Sequence, residues 1–224
     1  MKKIFILCSL CTQFSFCEIG EDSLSLIASV NENLDEKQTS LDEKWIPKLE
    51  KYFTKYEICQ SKIEQIDHLG NVLQGQFWLK RSSGCMKLQY DSKNEKVVLV
   101  KGGKLTLYDP ELKEKTVTSL HSFALSFFLD KILDLRKNIK VIGVIRHKGD
   151  IFIKLCNKND ETGGAIMLIF SEQSFHLKGW IILSSNIDIY CKFIHVQLIS
   201  PNVTQPIPDN VFTLSNSYLD HQNQ

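Results

Sequence analysis

Apolar side chains recur along this chain with two different periods, and the change of period divides it. Between Asp42 and Tyr56 the apolar positions Ile46, Leu49, Phe53 and Tyr56 follow helical spacing, with Pro47 expected in the first turn or two. From residue 57 the period becomes two. Asn71 to Arg81 alternates through Val72, Leu73, Phe77 and Leu79, and a second run carries Met86, Leu88 and Tyr90. Val97–Val100 and Leu105–Tyr108 flank Gly102-Gly103, which predicts a tight hairpin. Further strands are predicted at 139–147, 150–157, 164–171, 174–183 and 187–199. Short turns join them at 147–150, 171–174 and 184–186. Strands that follow one another so closely predict an antiparallel meander, since parallel units need crossover helices.

One segment interrupts the meander. Leu120 to Lys137 reads as a helix, with Phe123, Ala124, Phe127, Phe128, Ile132 and Leu135 on one side and Leu125, Leu129 and Leu133 broadening it. A face this apolar requires cover. Two arrangements supply it: a crossover helix capping an open sheet, or a lid over an apolar cavity.

The amino terminus has the form of a secretory leader. Lys2 and Lys3 precede a mostly apolar stretch of 13 residues from Ile4 to Phe16, too short to span a bilayer. Ser15 and Cys17 place small residues before a cut at Glu18. Lipidation of a leader cysteine is the weaker alternative, because Phe16 is bulky where that processing wants a small residue. No later stretch reaches the ~18 apolar residues of a membrane helix. The expected organisation is a signal peptide at 1–17, an acidic and polar extension at 18–44, and one domain at 45–224.

Composition narrows the function classes. The chain has 224 residues and a formal net charge of +1, which becomes −1 without Lys2 and Lys3, so it lacks the broad positive field of a general nucleic-acid binder. Cys8 and Cys11 have the spacing of a redox or zinc pair, a reading with little weight inside a leader. Cys59, Cys85, Cys156 and Cys191 remain, either as disulfides or as small buried apolar side chains. His147, His176 and His195 fall in separate predicted strands. No nucleophile elbow, phosphate-binding loop or dinucleotide fingerprint is present. The expectation is a protein without enzymatic activity, cofactor or metal.

The run Gly75-Gln-Phe-Trp-Leu-Lys-Arg81, followed by Val97-Val-Leu-Val-Lys-Gly102 and Leu105-Thr-Leu-Tyr-Asp-Pro110, resembles the periplasmic outer-membrane lipoprotein carrier family, LolA. Gly102 and Tyr108 keep the family's spacing, and Pro206 to Phe212 is similar to its closing segment, which ends in a phenylalanine strand. Ser82 stands where the family has proline, Thr106 where it has tryptophan, and Lys101 where it has aspartate. The resemblance covers roughly residues 45 to 214.

That resemblance implies an open antiparallel β half-barrel covered by a helical lid, with an apolar cavity between them for lipoprotein acyl chains. It implies a periplasmic monomer, loaded by an inner-membrane lipoprotein-releasing ABC transporter and unloaded by an outer-membrane lipoprotein receptor. Arg81 is implied to close the lid through hydrogen bonds to helical backbone carbonyls; its alternative is a surface pairing with Glu111 or Asp130. If Arg81 points inward, strand alternation turns Phe77 and Leu79 the same way, and Trp78 and Lys80 outward. Met86, Leu88 and Tyr90 then share the inward face, and Phe123, Phe127 and Phe128 are the lid residues facing cargo. The alternatives are a related protein of the same fold (an anchored receptor, an envelope-stress sensor or a glycolipid binder) or a domain whose core is closed by its own side chains.

Overall fold

Gly102 and Gly103 both take positive φ, 58° and 71°, the conformation that a two-residue hairpin requires and that side chains resist. This turn joins two of the eleven strands in the computed structural model, which describes residues 38–67, 69–91, 96–119, 127–129, 135–183, 193–202 and 204–214. Strands β1 (Ile58–Asp67), β2 (Val72–Lys80), β3 (Cys85–Tyr90), β4 (Val97–Lys101), β5 (Lys104–Asp109) and β6 (Glu114–Ser119) form one meander. Strands β7 (Ile139–His147), β8 (Asp150–Asn157), β9 (Asp160–Ser171), β10 (Leu177–Leu183) and β11 (Phe193–Asn202) form a second. Antiparallel pairing of β1 with β11 joins the two into one sheet, in the order β6-β5-β4-β3-β2-β1-β11-β10-β9-β8-β7. Strands β6 and β7 lie at opposite ends of the sheet, so it stays open. The fold is the open antiparallel half-barrel that the family resemblance implies, built from the antiparallel meanders that the alternation predicts.

Helix α1 (Gln38–Lys55) lies against β7. Leu41, Trp45, Ile46, Leu49 and Phe53 are buried on its inner side. Asp42 fixes one end of it by accepting the Val141 N–H at 2.8 Å, beside a bulge between Val141 and Gly143 where the ladder leaves its regular register. The helix begins earlier than its apolar spacing predicts. Pro47 therefore falls in its interior, where the missing N–H interrupts the hydrogen-bond ladder, rather than in the first turns.

The predicted strands at 139–147 and 150–157 form as expected. Strand β9 starts at 160 rather than 164. Strand β10 starts at 177 rather than 174, because Phe175 adopts a φ of 49° in a turn closed by its N–H on the Ser171 carbonyl. The strand predicted at 187–199 is described only from Phe193, and it continues to Asn202. The closing segment is corrected: Asp209–Phe212 is a 3₁₀ turn, not a phenylalanine strand. The leader at 1–17, residues 18–37 of the extension, Phe123 and most of the 120–137 helix, and Cys191 lie outside the described residues.

Both faces of the sheet are covered around β3 and β4. On the concave face Ile63, Phe77, Leu79, Met86, Leu88 and Tyr90 join the main core. On the outer face Trp78, Cys85, Val97, Leu99 and Tyr108 pack against Ile207 and Phe212 of the C-terminal segment. Three lysines hold that segment: Lys80 reaches Asp209 at 2.6 Å, while Lys87 and Lys101 donate to the Thr213 and Phe212 carbonyls, each at 3.2 Å. Lys101, one of the departures from the family pattern, thus serves this strap.

Candidate functional site

Alternation along β2 buries Gly75, Phe77 and Leu79 on the concave side, and the next residue in phase is Arg81. Arg81 opens a 3₁₀ turn (Arg81–Ser83) that Gly84 closes in the left-handed conformation, its N–H on the Arg81 carbonyl at 2.9 Å. Gly75 itself allows β3 to approach: a Cβ there would sit 2.3 Å from the Gln89 carbonyl oxygen. Met86, Leu88 and Tyr90 are buried opposite β2, and the Tyr90 hydroxyl donates to Gln65 Oε1 at 2.7 Å.

The Arg81 side chain is 3% exposed, and its guanidinium carbon lies 4.9 Å from the centre of the Phe53 ring on α1. Arg81 is therefore not the surface residue that the alternative pairing with Glu111 supposes, and Asp130 lies outside the described residues. A guanidinium stacked on an aromatic face is attracted to the ring quadrupole, most strongly away from water. The contact therefore ties the end of β2 to α1.

Around it runs a chain of rings. Phe53 meets Phe127 at 5.2 Å, Phe127 meets Phe128 at 5.6 Å, Phe128 meets Trp180 at 4.8 Å and Trp180 meets Phe77 at 5.1 Å. On the other side Tyr52 packs edge-on against Phe170 at 5.0 Å. These rings leave a cavity of about 30 Å³, lined by Tyr52, Phe53, Tyr56, Cys59, Phe77, Leu79, Phe128, Leu177 and Leu198. That is room for about one or two waters, whereas ligand pockets occupy ~300–1,000 Å³.

Of the residues expected to line the cavity, Phe77, Leu79 and Phe128 do so. Phe127 sits behind Phe128 against Phe53. Met86, Leu88 and Tyr90 share the concave face without lining the cavity. Sequence reasoning assigned the cover to 120–137 alone. In the structure much of the described cover comes from the end of α1, through Tyr52 and Phe53, and from Tyr56 just beyond it. The helical spacing of Phe53 and Tyr56 carried that signal; Trp180 and Cys59 gave none beyond their strand phase.

Cys59, Cys85 and Cys156 are free thiols. Cys59 lines the cavity while Cys85 packs under the strap on the other face, so this pair cannot bridge. Among the described residues no three His, Cys, Asp or Glu side chains gather as a metal site.

Two cavity groups have displaced acidities. Burial pushes the Cys59 thiol up from 9.0 to about 12. Burial also pushes the Tyr52 hydroxyl up from 10.0 to about 12, against the opposing effect of the Leu177 N–H, which donates to it at 3.1 Å. Both groups are neutral when protonated, so the unfolded chain ionises first. Their contribution is complete below pH 9 and is lost as the pH rises towards 12. Unfolding free energies from urea titrations should therefore fall over this range, by up to about 1.4 kcal/mol per pH unit for each group. Cys59→Ala and Tyr52→Phe should each flatten part of the decline; an unchanged slope in both variants would refute these assignments.

The sequence profile of the family described as outer membrane lipoprotein carrier protein LolA matches residues 55–215, well over half of the chain. No curated protein matches it. Among solved structures, an uncharacterized conserved protein from Thermus thermophilus is similar at 7% identity and a TM-score of 0.47, over 76% of this chain and 93% of that one. A LolA superfamily protein from Nitrosomonas europaea is similar at 12% identity and 0.42, over 80% and 98% of the two chains. The lipoprotein LppX of Mycobacterium tuberculosis is similar at 11% and 0.39, over 75% and 98%.

Proposed function

The chain belongs to the outer membrane lipoprotein carrier (LolA) family, and from that premise we propose that it shields lipoprotein acyl chains on its concave face and carries them through the periplasm from inner to outer membrane. The observation that carries this reading is the aromatic-lined cavity beneath α1, one of whose lining rings, Phe53, carries the Arg81 guanidinium. An acyl chain of about 14 methylenes costs ~11 kcal/mol to expose to water, so acylated cargo needs an apolar host in transit.

At about 30 Å³ the cavity admits such a chain only if α1 and residues 127–129 move outward. That requirement suits a carrier. The ring contacts and the Arg81–Phe53 stack reform when cargo leaves, and their recovery offsets part of the loss of buried acyl surface. Release to a receptor is then nearly balanced against retention. The partners this reading supplies are an ABC transporter that loads and an outer-membrane receptor that accepts. The basic and apolar residues 2–16 support export to the periplasm.

The small cavity also favours a second reading, a binding or structural domain whose core is closed by its own side chains. Native mass spectrometry of the purified chain with a triacylated peptide separates the two. A one-to-one adduct that the unacylated peptide does not form is the expected result. Absence of any adduct would establish the closed core and exclude the carrier.

A further inference from the structure

Helix α1 presents a second face whose chemistry is opposite to that of the first. Lys44, Lys48, Lys51 and Lys55 are all exposed and lie four, three and four residues apart. At 3.6 residues per turn this spacing confines them to an arc of about 60°, centred opposite Ile46, Leu49 and Phe53. The helix's carboxylates lie off the arc. Asp42 is turned towards Val141, Glu50 pairs with Arg136 at 3.6 Å, and Glu43 falls on the flank. Among the described residues none of the four ammonium groups pairs with a carboxylate. Lys48 and Lys44 lie 4.7 and 5.6 Å from the centre of the Trp45 ring, and Lys55 lies 5.1 Å from that of Tyr56. The chain is close to neutral, so this stripe is a local concentration of charge rather than a share of a general excess.

We propose that the stripe docks reversibly on the anionic phospholipid surface of a membrane. Charge complementarity names the occupant, and the composition of the face favours lipid over protein. A protein partner is normally gripped by Trp, Tyr or Arg anchors, and this face offers lysines, which act as point charges without a fixed fork. The large apolar residues of α1 face inward, so nothing on the face is available for insertion. Contact stays at headgroup level. Each lysine near an anionic leaflet multiplies partition about fivefold, so four give about 10²–10³-fold: enough to hold the protein briefly and too little to anchor it. The same helix supplies Tyr52 and Phe53 to the cavity from its other side, with Tyr56 just beyond its end. Docking through the lysines therefore sets the cavity's cover against the membrane.

The test is sedimentation of the full chain with vesicles of about 30 mol% phosphatidylglycerol in phosphatidylcholine. Binding is expected at about 50 mM salt, and at least a tenfold loss at about 500 mM. The variant K44Q/K48Q/K51Q/K55Q should lose about 10²–10³-fold in partition, while K44R/K48R/K51R/K55R should retain it. A control with the same change of charge, K62Q/K104Q/K113Q/K115Q, removes exposed lysines elsewhere and should stay within about threefold of the parent. The vesicles contain no lipoprotein, so the outcome is independent of the cargo reading. Absence of vesicle binding by the full chain overturns the proposal, whether or not its own acidic residues 18–36 occupy the stripe. So does an equal loss in the control, or retention on polyglutamate beads without vesicle binding, which would assign the stripe to an acidic protein.

Discussion

Phe128→Ala should lower stability by about 3–5 kcal/mol and at the same time tighten binding of a triacylated peptide. The first effect follows from burial. The ring is 1% exposed and packs on Trp180 and Phe127, so truncation leaves a void that its neighbours fill only in part. The second follows from where the void lies. Phe128 lines the existing cavity of about 30 Å³, and its removal enlarges that space. Cargo entering the parent must first displace aromatic side chains; in the variant part of that displacement is already done. The expected gain is about tenfold in affinity. Urea unfolding with an unchanged m-value gives the stability, and titration of the peptide gives the affinity. A closed structural core would show the first effect alone. Loss of stability without tighter binding would remove Phe128 from the cargo site.

Arg81→Leu should act on release rather than on folding. The guanidinium is buried against the Phe53 ring, and a desolvated cation–π contact of this kind contributes about 2 kcal/mol. An apolar replacement removes the desolvation penalty of the buried guanidinium together with its attraction to the ring, which limits the cost to stability. The closing contact between β2 and α1 is lost all the same. Bound triacylated peptide should then dissociate about 30-fold more slowly, since the empty arrangement recovers less on closing. Arg81→Lys should fall between, because lysine keeps the charge and loses the planar fork. If dissociation from Arg81→Leu is as fast as from the parent, Arg81 does not close the cover.

What could be read from the sequence depended on whether burial coincided with apolarity. Strands β2 and β3 were plain because Phe77, Leu79, Met86, Leu88 and Tyr90 alternate and all face the core. Strand β1 was not, although it joins the two meanders. Its inward positions include Ser61 and Gln65, both buried, and Gln65 is there to receive the Tyr90 hydroxyl. Strand β6 gave no signal because all six of its side chains are exposed. At the site, the phase of Arg81 was legible, since it continues the alternation of Phe77 and Leu79. Its partner Phe53 was not, because the contact joins a strand end to a helix distant in the sequence, and no local period records that. Pro47 misled for a related reason. Proline marks the start of a helix only where tertiary packing does not carry the helix past it, and here Trp45, Ile46 and Leu49 hold α1 to the sheet on both sides of it.

The β1–β11 seam bears on how the chain acquires its shape over time. Each meander is built from neighbours in sequence and can pair as soon as its own strands exist, whereas the seam joins residues in the sixties to residues in the 190s and 202. Contacts between such distant parts of a chain form late and slowly. A chain that has not yet closed the seam therefore holds two separate sheet halves with exposed apolar surfaces, which places its greatest aggregation hazard before the final strand is in place. Substitutions in β11 that weaken the seam should lengthen that interval, and would lower the yield of folded protein more than its final stability suggests.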